Sequence, residues 1–534
     1  MTRAEIAKSR VTQRRDHRGW YDKVFNLRRL TGGDLSALNV MEPQEASSAP
    51  GAIPAQAANL NSPDHYFIDV RTVAEGRSNH LLRALKTLVM QAAFKTPDVS
   101  LRGHSADVTG LTTAYLEKRL GPKPHGCDAS NHMRYALWDA LIGGIGWTGV
   151  TFQAGRPALM RYDSTKVVWD TATTSLSDCR WVSVRDKRSL AEWVEVYGRE
   201  TLQKWIDFDP GMTTAIELEF YYDLEGEAGY QAVFIATGES EVEPTPIIEG
   251  PNPFYYQEAG KRVPFLPLEP IYIFELPGVL YPESLVRTML PHQIAIWETE
   301  LQHRRILKTQ KPVRVINRGV LSQGDKERMA RGTPLEVITV DQAPDLSQVV
   351  RDVPAGEPSL TLLNYMSTNE RMLTAMAGDN PYASGSPVDG IRFAREADAI
   401  AGMSGLTAAN VSREHAAHWR RILQKFIATA RIYDNSNLSL RWDGELDLVF
   451  GPDSESGPIG MYLPENADLV VREASTTYES RQDEVMRIRA MIADLSPFIG
   501  MFPGLAQKIV GSYLSAHGER DVDSYLETMQ QAPL

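Results

Sequence analysis

The spacing of apolar residues changes several times along this chain, and each change marks an element. "RSNHLLRALKTLVMQAAF" (77–94) and "SNHMRYALWDALIGG" (130–144) repeat apolar positions at three and four, which predicts helices. "WTGVTFQ", "KVVWD", "RWVSV", "AIELEFYYDL" and "YQAVFIAT", between 147 and 237, are β-rich and several alternate, which predicts strands. The Pro-rich stretch 241–270 then reads as surface chain. From 283 to 310 one long helical pattern carries Val286, Leu290, Ile294, Trp297, Leu301 and Ile306, with Pro291 set to kink it or mark its true start.

A compact insert follows, with strand "KPVRVIN", a short helix around "GDKERMAR" and strand "PLEVITV". A second helix is expected over 358–377. The loop "GDNPYASGSPVDG" (378–390) breaks it, and a third helical stretch covers 391–432. At ~1.5 Å per residue that stretch would reach roughly 60 Å if straight, with Gly402 and Gly405 as bending points. "LSLRWDGELDLVFG" returns to strand character, and the chain from Thr476 onward reads as helical. Residues 1–30 read as a basic, partly helical arm, and 31–63 as an extended loop rich in Gly, Ala, Ser, Pro and Asn.

Composition narrows the class. Of 534 residues, 43% are hydrophobic and 23% charged, as in a soluble globular protein, and no apolar run approaches the ~18 residues of a membrane span. The basic N-terminus lacks the apolar core of a secretory signal. Cys127 and Cys179, the two cysteines, argue against a disulfide scaffold and fit a reducing cytoplasm. The formal charge is −12, unlike that of a protein built to grip nucleic acid all over. Positive charge is local: residues 303–331 hold nine Lys/Arg against two acids, a local +7 that leaves −19 for the rest.

The chemical motifs weaken on inspection. Gly144-x-Gly146-x-x-Gly149 spells a dinucleotide fingerprint, the basis of a rival reading as a nicotinamide-dependent oxidoreductase. That site needs the order strand, glycine turn, helix, so that a helix N-terminus faces the phosphates. Here the helix precedes the glycines and the strand follows, so a helix-to-strand turn is expected. "EHAAH" (414–418) has histidines three apart rather than the four of a zinc-protease helix, and a solvated or interface helix face is expected. His125, Cys127 and His132 are too few for a structural zinc site, so a buried or loop cysteine is expected. Asp443, Glu445, Asp447, Asp453 and Glu455 miss the calcium-loop register. No nucleophile elbow or phosphate-loop lysine is present. No catalytic residue, metal or cofactor is assigned.

The order of elements is more informative. "WDALIGGIGWTGVTFQ", "MRYDSTKVVWDTATTSLSDCRWVSVRDKRSLAEW", "LPHQIAIWETELQHRRILKTQKPVRVI" and "MLTAMAGDNPYASGSPVDGIRFAREADA", in that order, resemble the portal protein, or head–tail connector, of tailed bacteriophages from about residue 60 to the end. The resemblance implies an α+β subunit assembled as a ring, usually dodecameric. Its parts would be an arm and loop (1–60), a mixed α/β wing (61–280), an outgoing stem helix (281–310) and a small α/β clip (311–357). A returning stem helix (358–377), a tunnel loop (378–390), a long helix with wing strands (391–475) and a helical crown (476–534) would follow. It also implies a virion location at one capsid vertex after assembly in the host cytoplasm, with no membrane. Partners would be terminase large subunit, major capsid and scaffolding proteins, a tail adaptor and double-stranded DNA.

On this resemblance Asp379, Asn380, Tyr382 and Ser384 would line the tunnel, and Arg314, Arg318, Lys326, Arg328 and Arg331 would dock terminase or adaptor. Arg304, Arg305 and Lys308 would form a basic stem–clip face, and small residues around Gly402 and Gly405 would let neighbouring subunits pack. Another virion component, such as a tail adaptor, is the remaining alternative, although adaptors are usually much shorter.

Overall fold

A computed structural model describes residues 2–31, 79–93, 99–197, 215–309, 313–316, 350–353, 360–378 and 394–471, apart from a few turn positions. The N-terminal segment folds as α1 (Arg3–Thr12) and α2 (Arg18–Thr31). Thr2 caps α1 with a reciprocal Glu5 contact, satisfying two of the backbone N–H groups that a helix start leaves open. The basic charge of this segment turns inward. Arg14 reaches the fully buried Glu219 at 2.8 Å, and Arg28 bridges Asp139 and Asp163, each at 2.9 Å.

Helices α3 (His80–Ala92), α4 (Ala106–Leu120) and α5 (Ala129–Gly143) follow, with β1 (Val99–Leu101) between the first two. Strands β2 (Gly146–Gln153) and β3 (Arg156–Tyr162) form a hairpin, which β11 (Leu268–Ile271) joins on the β2 edge. A second, antiparallel sheet runs β4 (Val167–Trp169), β5 (Trp181–Ser189), β6 (Ala215–Asp223), β7 (Tyr230–Ile235) and β8 (Ile248–Gly250), with neighbours in chain order. Helix α6 (Leu190–Tyr197) lies between β5 and β6. The start of β5 is buried on both faces. Trp181 packs with Ala7 and Val11 of α1, while Val182 and Val184 pack with Trp147 and Trp169. That two-sided burial follows from the period of two, which sends successive side chains to opposite faces.

Strands β9 (Tyr255–Glu258) and β10 (Lys261–Pro264) pair within the Pro-rich stretch. Helix α7 (Leu285–Thr309) then leaves the body with Pro291 inside it, so the proline is not the helix start. Ser284 sets the start: its hydroxyl accepts from the Arg287 N–H and donates to the Ile142 carbonyl at the end of α5. Strands β12 (Val313–Ile316) and β13 (Val350–Val353) pair antiparallel at the far end, and α8 (Leu360–Met376) returns alongside α7. "PLEVITV" lies outside the described residues, and β13 is a strand the sequence pattern did not single out.

Helix α9 (Ala394–Tyr433) runs unbroken for 40 residues, followed by hairpin β14 (Leu438–Trp442) and β15 (Leu446–Phe450) and by β16 (Leu469–Val471), which pairs with β1. Two large cores hold the body. One joins α2, α3, α5, the root of α7 and the end of α8, with Trp297 and Leu373 among its members. The other wraps α9 residues Trp419, Ile422, Leu423 and Phe426 with α4, α5 and the β14–β15 hairpin. These cores fix where the long helices emerge.

Candidate functional site

The candidate site is the excursion α7–β12/β13–α8 together with α9. Its base is pinned by polar contacts that leave few backbone groups unsatisfied. The buried Gln293 of α7 accepts from the Leu81 N–H at 2.8 Å, capping α3, whose own cap residue Asn79 accepts from Leu82. Beside Gln293 in the chain, His292 Nδ1 and Asn369 Oδ1 lie 2.9 Å apart and tie α7 to α8. Along its length α8 exposes Leu360 (77%), Tyr365 (54%) and Met372 (48%), large apolar groups that its own chain does not cover.

Helix α9 is rooted at its C-terminal end. Arg421 and Lys425 both bond Glu269 on β11, a carboxylate that burial alone would push up but that these two cations hold below the usual range. Asp434, just past the helix, is fully buried and accepts from Tyr115 (2.6 Å) and Arg119 (3.1 and 3.0 Å). Sequence inspection missed this set. Cations four apart on the otherwise apolar face 419–427 were the available signal, because such a face can hold charge only with a partner.

The expectation for "EHAAH" is corrected. His415 is 1% exposed and His418 0%, packed inside the body rather than on a solvated or interface face. Helix α9 crosses α3 and the β2–β11 region there, and a crossing helix buries the turn that meets the sheet. His418 Nε2 pairs with the Thr148 hydroxyl at 2.8 Å. Neither ring nitrogen of His415 meets hydrogen-bond geometry. Burial drives the His415 pKa down to about 4, opposed in part by the Ala92 backbone, and drives His418 well below its ordinary value with Arg421 adding to the effect. Among the described residues no three His, Cys, Asp or Glu groups converge on a metal position.

The glycine turn matches expectation. Helix α5 ends at Gly143, Gly144 adopts φ +91°, and β2 begins at Gly146. A Cβ on Gly146 would lie 1.9 Å from the Ala136 carbonyl oxygen, and one on Gly144 2.3 Å from that of Pro282. These glycines permit close backbone packing at a helix C-terminus, where the dipole disfavours phosphate. Cys127, as expected, is buried. Its Sγ accepts from the Leu159 N–H at 3.5 Å, and burial raises the pKa of both thiols, Cys179 to about 11. Such thiols are unreactive near neutral pH.

The expected site residues fall unevenly. Arg304 is exposed near the end of α7, and Arg305 and Lys308 belong to the same helix, their side chains outside the described residues. Arg314 stands opposite Asp352 in the β12–β13 register. Gly402 and Gly405 fall inside α9, ahead of its rooted half. Arg318, Lys326, Arg328, Arg331, Asp379, Asn380, Tyr382 and Ser384 lie outside the described residues. Among the described residues no helix is long and apolar enough to cross a membrane.

No family model and no curated protein matches the chain. Among solved structures it is similar to a chain from "Virion of native gene transfer agent (GTA) particle", at 14% identity and a TM-score of 0.35, covering 65% of this chain and 77% of that one. A likeness of that degree leaves the functional reading to the residues themselves.

Proposed function

We propose that this chain is a portal subunit of a tailed-bacteriophage virion. In this reading copies form a ring at one capsid vertex, terminase drives double-stranded DNA inward through it, and the DNA later leaves through the tail. The single observation that carries the reading is the order of elements after the wing. A helix rooted by Ser284 and Gln293 leaves the body, a strand pair closes the far end, a second helix returns, and a 40-residue helix follows. The chain is proposed to be a conduit and not an enzyme.

The chemistry supports sliding rather than gripping. A lumen lined with lysine would hold DNA through counterion release, whereas an acidic or neutral wall repels phosphate and keeps the duplex centred. The negative balance outside residues 303–331 fits such a wall, and the local +7 fits a clip end that docks terminase or adaptor. The uncovered Leu360, Tyr365 and Met372 of α8 fit helices that pack against neighbouring copies.

Mass photometry with negative-stain imaging of the purified chain tests the proposal. A hollow ring of roughly twelve copies is expected, the closed cyclic form that repeated head-to-tail contacts generate. A compact monomer or dimer that binds a nicotinamide dinucleotide tightly would overturn it in favour of the oxidoreductase.

A further inference from the structure

The first turn of α4, strand β15 and the 3₁₀ turn Ile459–Tyr462 enclose an open groove of about 260 Å³. Val108, Leu111, Leu448, Phe450 and Tyr462 wall it, and Asp107 stands among them as the charged group. Tyr462 is 44% exposed and its neighbour Met461 77%. The groove is therefore apolar, with one exposed carboxylate, Asp107, on its wall. It fits an aromatic side chain that carries a cation with it.

The same chain displays such groups elsewhere. Tyr135 on α5 is 52% exposed with the Arg134 guanidinium 5.9 Å from its ring centroid, and Phe25 on α2 is 56% exposed with Arg29 at 5.8 Å. The two helices pack together, Val24 lying against Gly143. Each pair is a flat apolar ring under a positive charge, the complement of the groove in both shape and sign.

We infer that the groove of one copy receives the Tyr135–Arg134 face of a second copy of this chain, with the ring in the apolar pocket and the guanidinium against Asp107. Groove and aromatic face are different patches, so the contact is heterologous and repeats head to tail. Such contacts close into a ring when the rotation between copies permits, which a self-complementary patch does not do beyond a dimer. The inference rests on the ring reading above and names a surface that would hold the ring together.

Charge exchange tests it. Ring fraction is measured by mass photometry for the unaltered chain, Asp107→Lys, Arg134→Glu and the double variant, with thermal unfolding as the control for folding. Each single change should lower the ring fraction about tenfold, and the double change should restore it to within about threefold, as expected for opposed charges across one contact. Single variants that assemble like the unaltered chain overturn the contact and leave the ring reading standing. An unaltered chain that forms no ring overturns the reading itself, and the contact with it. Assembly that ignores both charges but fails when residues 472–534 are removed would assign the groove to the chain's own C-terminal segment, and also overturns the contact.

Discussion

Arg119 and Asp434 meet at 3.0 Å with side chains 3% and 0% exposed, joining α4 to the residue that ends α9. Tyr115 donates to the same carboxylate, so both of its oxygens are occupied. Removing one member of a buried pair leaves the other charge without compensation, which costs about 3–5 kcal/mol. Asp434→Ala should therefore lower stability by that order, read as a shift in the urea midpoint. A loss below about 1 kcal/mol would show that water reaches Arg119 and that the pair is not a buried lock.

The glycine turn gives a second expectation. Gly146→Ala places a methyl group against the Ala136 carbonyl at a separation no Cβ tolerates, and Gly144→Ala adds a strained positive φ. Either should destabilise the chain by more than about 2 kcal/mol. Calorimetric titration of the unaltered chain with a nicotinamide dinucleotide should give no heat of binding. Tight binding, lost in the Gly146 variant, would revive the phosphate-cradle reading.

Acid should weaken the fold through its buried histidines. His17 and His415 are held neutral to about pH 4 by burial, and burial also pushes His418 well below its ordinary value, whereas an unfolded histidine takes up a proton near 6.5. The unfolded state thus binds more protons below 6.5. The stability these groups contribute is full above that pH and is lost as pH falls toward 4, by about 2 kcal/mol at pH 5 for each of His17 and His415. Carboxylates titrate in the same window, so the comparison is with His415→Leu. That variant should show a difference between pH 7.5 and pH 5 smaller by about 2 kcal/mol. An unchanged difference would mean that His415 is already solvated.

Small residues early in α9 should matter for assembly. Gly402→Leu or Gly405→Leu is expected to cut ring formation severalfold in mass photometry while circular dichroism stays helical, because leucine is a better helix former than glycine. Normal rings would remove these positions from the interface.

Replacing residues 378–390 by a short Gly-Ser linker should spare ring assembly and change DNA retention in packaged particles. Loops of this composition tolerate shortening when they carry no core. Retention equal to that of the unaltered chain would separate the loop from the channel.

Periodicity identified the elements that bury one continuous face. The 40-residue α9, the returning α8 and the strands Trp181–Ser189 and Ala215–Asp223 were legible because their repeats persist over several turns or residue pairs. The glycine turn was legible too, since helix-before-glycine order is a local fact. Strand Val350–Val353 was not, because its neighbour in the sheet is Val313–Ile316, far away in sequence.

The sequence by itself determined the succession of helices and strands, the segregation of charge and the absence of familiar catalytic spacing. Tertiary structure alone decided which polar residues turn inward. Arg14 and Arg28 read as part of a basic arm, and His415 and His418 as an outer face, until the helices that carry them packed against sheet and helix partners. The reason is physical. A charge or an imidazole can be buried only where distant residues supply a partner or a close-packed wall, and neither is written in its own neighbourhood.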